Sequence, residues 1–513
     1  MKRTFAVIGF SFMFGLVICN FLLENKSIFL AITSFFLSVV FISLKKLRRK
    51  KEICCLFVCL SLSAALFTAV RYFVYTPTIE YADTKCKIEA TVLDTPSISS
   101  GGNFSYLIRT NRINGEEKSI KMRLYVPYDI SAEPYDEVSF SSYPFLIGSN
   151  DKGVYLHFRS RGTYLGAYTK YDVNVHTPET KPFMSVFPIL KANSMKILKS
   201  FLDEKHAGFS ISILFGDKIL IDTQEKQNFQ RVGLTHIMAV SGLHMSVWVY
   251  GLYRLLKRLH ITEKKASFIS IGFSLCVVCF SSFSVSVIRA MIMTCVYLSA
   301  GLFKRRSDAL NSLGLAVFIL CTINPFVVCD VSFLLSVFAT LGIILAANLL
   351  TKLTDTVKQK KLKSIFEKRS LKYIVESLFM SISATLFTYP IVVGIFGGVS
   401  TVSPIVNLFV IPALSPCLLM SGSLTMLPSV DVFTYAISHM LTFIEDYVFF
   451  VVENISKLPF CYISIDNFIF KVAIPIVIAV TLSVLYSKEA KKLDVTAVCA
   501  AASICVISIF YYI

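Results

Sequence analysis

The sequence predicts a polytopic α-helical membrane protein with a small all-β domain inserted between its spans on the extracytoplasmic side. Three observations carry this prediction. Of the 513 residues, 55% are hydrophobic and 16% are charged, a balance that excludes an ordinary soluble enzyme. Apolar runs of about 17 to 25 residues, the length that crosses roughly 30 Å of hydrocarbon, recur near both ends of the chain. Between them, residues 76–185 alternate apolar and polar side chains with the two-residue period of strands.

The first domain, residues 1–75, is predicted to cross the membrane three times. Its apolar runs lie at about 5–23, 27–44 and 53–75. The formal net charge of +18 indicates their direction, because it is concentrated in clusters between apolar runs, as in cytoplasmic loops. We therefore expect a cytoplasmic N-terminus, with residues 76–206, residues 323–330 and the C-terminus on the extracytoplasmic side. The basic clusters are residues 45–51, 254–265, 304–306, 351–372 and 488–492.

The second domain, residues 76–185, is predicted to contain five to seven short strands. A small Greek-key barrel suits the strand spacing, and a sandwich is the alternative that the pattern leaves open. Residues 76–206 hold 16 Lys and Arg against 15 Asp and Glu, so a contact with nucleic acid there must be a local patch. Cys86 is the only cysteine of the domain, which excludes a disulfide within it. The clearest strand patterns are residues 85–95, 105–111, 119–127 and 137–145.

The third domain, residues 186–231, leads from the β domain to the second group of spans. Residues 186–205 have apolar side chains at helical spacing and lysines on the other face, which predicts an amphipathic helix on the outer surface. Residues 206–216 are apolar but too few to span the membrane. They predict an interfacial or re-entrant segment that ends before Asp217.

The fourth domain, residues 232–513, is predicted to be a multi-span domain. Its spans are expected at about 232–256, 266–283, 287–303, 309–323, 331–350, 373–396, 404–427, 432–456, 469–487 and 493–512. Several of them are interrupted, at Ser241-Gly242, Pro390, Pro404, Pro412 and Pro416. Broken backbone at membrane depth is tolerated where it is buried in protein or lines a wet cavity. The interruptions therefore indicate a transport pathway.

The stretch THIMAVSGLHMS, residues 235–246, places two histidines around one interruption. On a continuous helix His236 and His244 would lie about 80° and 12 Å apart, so they cannot share a metal ion. Ser241 could contact His244 as in a hydrolase, but no Asp or Glu stands nearby in sequence to orient the imidazole. Two other interpretations are histidines bonded to neighbouring helices and a polar constriction opened by Ser241-Gly242. We favour the constriction and expect no catalytic residue, metal or cofactor.

Three further polar positions allow two interpretations each, and two allow one. Arg289 lies near the outer end of a span, where it either snorkels to lipid headgroups or faces a cavity and attracts phosphate. Asn407 either joins two helices or lines the pathway. Asp217 either caps a turn or belongs to the pathway. Glu445 and Asp446 are interpreted as the polar face of a tilted helix.

Five stretches taken together resemble the ComEC family of bacterial competence proteins, the inner-membrane channels for transforming DNA. The His-x-x-Ala-x-Ser-Gly-x-His core is specific, and its order relative to the later stretches makes a chance match improbable. The resemblance covers residues 205–450 well and the preceding part in arrangement. The stretches are LFGDK (214–218), FQRVGLTHIMAVSGLHMS (229–246), SVIRAMIM (286–293), INPFVVCDVSFLLSVFATLGI (323–343) and YPIVVGIFGGVSTVSPIVNLFVIPALSP (389–416).

The resemblance implies a three-span start, an extracytoplasmic oligonucleotide-binding-like (OB-like) barrel, and a competence domain that conducts single-stranded DNA through the bacterial inner membrane into the cytoplasm. Seven residues match polar motif positions of the family and are the candidate transport pathway: Asp217, His236, Ser241, Gly242, His244, Arg289 and Asn407. Two positions depart from the family, since Ser332 and Leu334 stand where it tends to show Gly and Gln. Many members add a metallo-β-lactamase-like domain, but residues up to Ile513 contain no His-x-His-x-Asp-His run, so we expect a separate nuclease.

The β domain offers aromatic and basic side chains of the kind that bind single strands. The candidate DNA-binding residues are Arg109, Tyr125, Arg159 and Arg161. No Walker-type glycine loop is present, so inward movement calls for a cytoplasmic ATP-driven motor, and DNA would arrive from a periplasmic or surface delivery protein. A homodimer is compatible with the sequence. The alternatives are a transporter of another solute on the same scaffold, an intramembrane hydrolase that uses Ser241 with His244, and a remnant without transport.

Overall fold

A computed structural model describes residues 3–512, apart from 25, 44–49, 100, 150, 172, 359–368, 427–430, 466 and 468–494. The described chain is mostly helical, with one sheet in residues 86–176 and a short two-stranded ribbon near the end. The predicted span at 469–487 and the basic cluster at 488–492 lie outside the described residues, as does most of the cluster at 45–51.

Three apolar helices begin the chain where the sequence predicts them. They are α1 (Thr4–Phe21), α2 (Ser27–Ser43) and α3 (Lys50–Val70), and α3 continues through a π-helical turn (Arg71–Tyr75) into the short α4 (Thr76–Ile79). Helix α1 is apolar on all sides and most of it is buried, as expected for a helix surrounded by others. A Cβ atom on Gly9 of α1 would lie 2.0 Å from the carbonyl oxygen of Gly314, so the two glycines allow a close helix contact.

The β domain follows, and its strands form one sheet. The strands are β1 (Cys86–Val92), β2 (Ser97–Ile98), β3 (Phe104–Ile113), β4 (Glu116–Glu117), β5 (Lys121–Val126), β6 (Glu137–Ser142), β7 (Phe145–Leu146), β8 (Leu165–Tyr168) and β9 (Asn174–His176). They pair in the order β7-β8-β5-β3-β1-β6-β9, with β2 and β4 on β3; β5 and β8 are parallel and the other pairs antiparallel. Only two residues separate β6, which pairs with β1, from β7, which pairs with β8. The two distant parts of the sheet order are therefore joined by a short connection.

The four strand patterns predicted from the sequence are all present as β1, β3, β5 and β6. Their alternation is visible in the burial of β5, where Met122, Leu124 and Val126 point into the core and their neighbours point outward. The expectation of an all-β domain is wrong in one respect. Helix α5 (Lys152–Ser160) lies between β7 and β8, and Asp151 caps it by accepting hydrogen bonds from the next backbone amides.

Three helices form the third domain. Helix α6 (Val186–Phe201) follows a 3₁₀ turn (Phe183–Ser185), α7 is Glu204–Phe215 and α8 is Thr223–Arg231. The predicted interfacial segment is α7, whose residues 207–213 are buried. It ends at Gly216, which has the left-handed φ of 76° that glycine adopts without strain.

The fourth domain contains the remaining helices. Helix α9 (Gly242–Met245), a π-helical turn (Ser246–Tyr250) and α10 (Gly251–Arg258) run on without a gap and are called here the Ser241 helix. The predicted span at 232–256 is therefore wrong in its first part, because residues 232–241 form turns. The other helices are α11 (Glu263–Phe280), α12 (Val285–Leu302), α13 (Ala309–Ile323), α14 (Val331–Lys358), α15 (Arg369–Phe396), α16 (Ser403–Met426), α17 (Asp431–Ser456) and α18 (Val495–Tyr512); a 3₁₀ turn spans Val327–Cys329, and β10 (Gly398–Ser400) pairs with β11 (Tyr462–Ser464).

By length and composition, seven helices among the described residues could cross a membrane, and three shorter apolar helices accompany them. The chain is thus a multi-pass membrane protein. The prolines at 390, 412 and 416 lie inside α15 and α16 without ending them.

The β domain sits on one end of the helical bundle. Asp94 forms an ion pair with Lys191 of α6 at 3.0 Å and accepts a hydrogen bond from Ser282, in the turn between α11 and α12, at 2.9 Å. Asn324, which follows α13, donates to the carbonyl oxygen of Ser160 at 2.6 Å. The loops around Ser282 and Asn324 therefore lie at the end that holds the β domain.

The other end holds basic residues. Arg3 at the start of α1 pairs with Asp308 at 3.1 Å, directly after the basic residues 304–306. Glu263 at the start of α11 lies 3.7 Å from the Cβ position of Gly301, which places the basic residues 254–258 at this end as well. This separation of the β domain from the basic loops agrees with the charge distribution in the sequence.

Candidate functional site

The break at Ser241 is a helix N-terminus closed by its own side chains. Ser241 has extended backbone angles (φ −130°, ψ 177°) and is the N-cap of the Ser241 helix. Its hydroxyl accepts a hydrogen bond from the amide of Leu243 at 3.3 Å, and its own amide donates to Nδ1 of His244 at 3.0 Å. This is a capping box in which histidine takes the place of the usual Glu or Gln. Because Nδ1 of His244 accepts a hydrogen bond, the ring proton is assigned to Nε2.

The same geometry accounts for the contact between Ser241 and His244. The hydroxyl of Ser241 lies 3.0 Å from Nδ1 of His244, the distance that the hydrolase alternative requires. That nitrogen, however, already accepts the amide of Ser241, and in the described residues no Asp or Glu is bonded to the ring. Helix capping therefore explains the contact without a catalytic role.

Arg289 lies beside this break. It is 7% exposed, and its Nη1 donates to the carbonyl oxygen of Ser336 at 2.6 Å and to the hydroxyl of Thr340, both on α14. Its Nη2 lies 3.3 Å from the position that a Cβ atom would take on Gly242. The interpretation of Arg289 as a residue that snorkels to lipid headgroups is therefore wrong, because its guanidinium is buried between helices.

The guanidinium of Arg289 can also form more hydrogen bonds and ion pairs than the described residues provide. Its Nε has no hydrogen-bond partner, and within the described part of the chain it forms no ion pair with a carboxylate. A buried charge without a counter-charge is costly unless something else pairs with it. The break and this guanidinium together form a buried cationic site.

Close backbone contacts bring the motif stretches together around the break. The Cβ position of Gly216 lies 3.2 Å from Val240. Gly233, with a left-handed φ of 78°, lies against Ser400 and Ser403, whose Cβ atoms are 2.9 and 2.8 Å from its Cβ position. With Arg289 against Gly242, these contacts join stretches that are far apart in sequence.

The other three predicted pathway residues lie at the edge of this arrangement or outside it. His236 is exposed, its Nδ1 lies 3.2 Å from the carbonyl oxygen of Gly233, and it is near enough to His244 to interact electrostatically. Asp217 caps a turn by accepting the amide of Ile219 at 3.1 Å. Asn407 donates to the hydroxyl of Ser381 at 2.7 Å and so joins α16 to α15, while its buried Oδ1 has no partner.

Sequence reasoning missed one buried carboxyl group. Glu445 is 0% exposed, so the interpretation as a polar helix face is wrong for this residue and holds only for the exposed Asp446. The hydroxyl of Ser210 donates to Glu445 at 2.7 Å and lies 3.0 Å from that of Ser421, which joins α7, α16 and α17. The available signal was the pair Ser210 and Ser212 in an otherwise apolar stretch.

One outer face of the β domain combines charge and aromatic rings. Arg109 lies directly opposite Lys121 in the register of β3 and β5, and Tyr125 follows on the same face. Burial and, second, the positive charge of Arg109 lower the pKa of Lys121. Tyr125 stacks on Phe145 with ring centres 6.1 Å apart and planes at 28°. Two of the predicted DNA-binding residues thus share a face where an anion would relieve the repulsion between neighbouring cations.

The two other predicted DNA-binding residues lie elsewhere. Arg159 is 2% exposed and pairs with Glu24 at 2.8 Å, so it is not on an accessible surface and the prediction for it is wrong. Its guanidinium lies over three aromatic rings, those of Tyr75, Tyr155 and Phe326. Arg161 is half exposed and lies 3.8 Å from the buried Asp330. No three His, Cys, Asp or Glu side chains come together to hold a metal ion among the residues that the structure describes.

Comparison with known proteins places this site in a known sequence family. The family described as Competence protein matches residues 213–490, more than half of the chain, and this range contains all seven predicted pathway residues. The chain is also similar to ComE operon protein 3 of Bacillus subtilis (strain 168), with 24% identity over 305 residues. The aligned part covers 60% of this chain and 36% of the relative, so the chain spans little more than a third of that protein. No solved structure matches the chain.

Proposed function

This chain belongs to the competence protein family, and from that premise we propose that it forms a channel that moves single-stranded DNA into the cytoplasm during natural transformation. The observation that carries the proposal is the buried guanidinium of Arg289 beside the helix break at Gly242. Single-stranded DNA presents one phosphate per nucleotide, and arginine is the side chain best suited to pair with phosphate.

The remaining polar groups at the break fit such a passage. The buried imidazole of His244 is held by the amide of Ser241 and by a hydrogen-bond contact with the backbone of Ile213, so it lies fixed beside the break. A passing strand needs contacts that form and release, so one buried cation with neutral donors serves better than a charged cluster. The exposed His236 adds a second imidazole on the approach to the break.

The β domain supports the proposal from the outer end. A strongly interconnected sheet of short strands with one parallel pair, β5 with β8, suits an OB-like barrel, the fold that commonly binds oligonucleotides. Its face with Arg109, Lys121 and Tyr125 offers the cations and aromatic ring on which a single strand binds. In this proposal the barrel receives the strand before it reaches the break.

The proposed setting is the bacterial inner membrane, with the N-terminus in the cytoplasm and the β domain and C-terminus outside. The proposed partners are a DNA-delivery protein on the outer side, a separate nuclease that removes one strand, and a cytoplasmic ATP-driven motor. A homodimer is also compatible with this arrangement.

The test follows labelled double-stranded DNA in competent cells that lack the protein. Cells are restored with the intact chain, with Arg289→Gln, or with Arg305→Gln as a control that removes an exposed charge from the basic end. We expect the deletion and Arg289→Gln to hold DNA outside the inner membrane, while the intact chain and the control restore passage into the cytoplasm. Passage that is unchanged by the deletion contradicts the channel and favours a transporter of another solute.

A further inference from the structure

The second half of the Ser241 helix carries a group of aromatic and basic side chains, of which all but the half-buried Tyr253 are exposed. We call this group the Tyr-Arg platform; it consists of Tyr250, Tyr253, Arg254, Lys257 and Arg258. The rings of Tyr250 and Tyr253 lie within 14° of parallel, with centres 6.3 Å apart. The guanidinium of Arg254 lies 4.7 Å from the centre of the Tyr250 ring. The platform is thus a pair of stacked tyrosine rings with a cation on one of them.

The cations of the platform are available to a ligand. Arg254, Lys257 and Arg258 are all exposed, and none of them forms an ion pair with a described residue. With Gly251 and Leu255 they border an open, shallow depression on the helix surface. One side of α10 is open, while Tyr253 on its other side is half-buried against a hydrophobic cluster.

The platform lies at the opposite end of the same helix from the proposed passage. The Ser241 helix has its first residue, Gly242, against Arg289 and its last at Arg258. At 1.5 Å per residue these ends are about 25 Å apart. The last residues lie at the basic end of the bundle, opposite the β domain. The platform therefore lies between the break and the basic end of the bundle.

We propose that the Tyr-Arg platform binds single-stranded DNA as it leaves the passage. The proposal rests on the proposed function and assigns it a second binding site. Stacked aromatic planes with nearby arginine are the elements that hold single strands without sequence preference, the rings for the bases and the cations for the phosphates. Anionic lipid headgroups would also bind the cations, but they have no flat base to lie on the tyrosine rings. The parallel tyrosines therefore favour a nucleic acid.

The first test measures binding of a fluorescent oligothymidine strand to the full chain in phosphatidylcholine nanodiscs by anisotropy at several salt concentrations. The test variant combines Arg254→Ala, Lys257→Ala and Arg258→Ala. The control combines Lys304→Ala, Arg305→Ala and Arg306→Ala, which removes the same charge from the same end. We expect the test variant to bind at least tenfold more weakly, with the slope of log K against log salt reduced by roughly 2, because each phosphate contact on a single strand contributes roughly 0.7. Equal binding by the test variant and the intact chain overturns the proposal.

The second test addresses the rings, using a strand that carries 5-iodouracil and crosslinks to stacked aromatic side chains on irradiation. We expect a crosslink in the peptide that contains Tyr250 and Tyr253, lost in Tyr250→Leu and kept in Tyr435→Leu, a control at another exposed tyrosine. Suppose instead that no crosslink forms there and that the triple variant loses only copurified phosphatidylglycerol. The platform is then a lipid anchor, and the proposal is overturned.

Failure of this inference and failure of the channel give different results. If the deletion blocks passage of DNA but the triple variant binds the strand like the intact chain, the channel stands and the platform does not. If the deletion leaves passage unchanged, the channel itself fails.

Discussion

The guanidinium of Arg289 lies 3.3 Å from the position that a Cβ atom would take on Gly242. The two residues are 47 positions apart in the sequence and meet at the start of the Ser241 helix. Because Gly242 has no side chain, the guanidinium of Arg289 has room there. Gly242 has no left-handed φ, so the fold needs glycine there for space and not for backbone freedom.

Replacing Gly242 by alanine should displace the guanidinium. Alanine adopts this backbone conformation readily, so the chain should fold, with a free energy of unfolding within about 1 kcal/mol of the intact protein. The new methyl group at 3.3 Å would push the guanidinium of Arg289 by a few tenths of an ångström, and we expect passage of DNA into the cytoplasm to fall measurably. Gly272→Ala is the control, because nothing lies within 4 Å of its Cβ position. Equal passage in both variants would show that the contact is not used.

The sequence predicted a helix or strand correctly where the burial of its side chains follows a regular repeat. Strand β3 (Phe104–Ile113) is visible in the sequence because one face is packed and the other is not, and helix α1 because lipid or protein surrounds all its sides. The turns at residues 232–241 were predicted as helix, since hydropathy reports burial and not backbone shape. Only the capping side chains of Ser241 and His244 mark where the helix begins.

The partners of single polar residues could not be predicted, because they come from distant helices. Arg159 looked like an accessible cation in the sequence, and only the fold shows it inside an aromatic cage. Glu445 looked like its exposed neighbour Asp446, because nothing local indicates that Ser210 faces it. The contact of Arg289 with Gly242 is likewise absent from any sequence window, although each residue was a candidate by itself.

The capping box predicts unequal effects of two replacements at His244. His244→Ala removes the acceptor for the amide of Ser241, and we expect a loss of about 1 kcal/mol in the free energy of unfolding. His244→Gln supplies the acceptor that such boxes usually contain and should recover most of that loss. Thermal unfolding in detergent measures both. A fluorophosphonate probe should leave Ser241 unlabelled in the intact chain, and labelling there would support the hydrolase alternative.

The buried carboxyl of Glu445 predicts a difference between two serines on α7 that are both 0% exposed. Ser210→Ala removes the hydroxyl that donates to Glu445 and should cost about 1 to 3 kcal/mol, because a buried polar group then loses its partner. Ser212 donates to the carbonyl oxygen of Phe209 in its own helix, so Ser212→Ala should change stability by less than about 0.5 kcal/mol. Unfolding in detergent compares them. Equal losses would show that the Ser210 contact contributes little.

Arg159 was first considered for DNA binding, but its contacts predict that it attaches the β domain to the helices. Arg159→Ala breaks the ion pair with the partly exposed Glu24 and leaves the aromatic cage empty, at a cost on the order of 2 kcal/mol. Arg161→Ala removes a half-exposed guanidinium and should cost less than about 1 kcal/mol. We expect protease to release the β domain faster from the first variant only. Faster release from both would place the attachment elsewhere.

His157 on α5 predicts how the stability of the β domain depends on pH. Burial, and then the nearby positive charge of Arg161, lower the pKa of His157 from 6.5 to about 4. Between these two values the unfolded chain binds a proton that the folded chain does not, so stability is full above about pH 6.5 and falls as the pH drops toward 4. At pH 5 the loss should be on the order of 2 kcal/mol. His157→Gln cannot take up the proton, and its unfolding should vary less between pH 7 and 5 than that of the intact chain. Parallel pH profiles for the two proteins would contradict the burial of this ring.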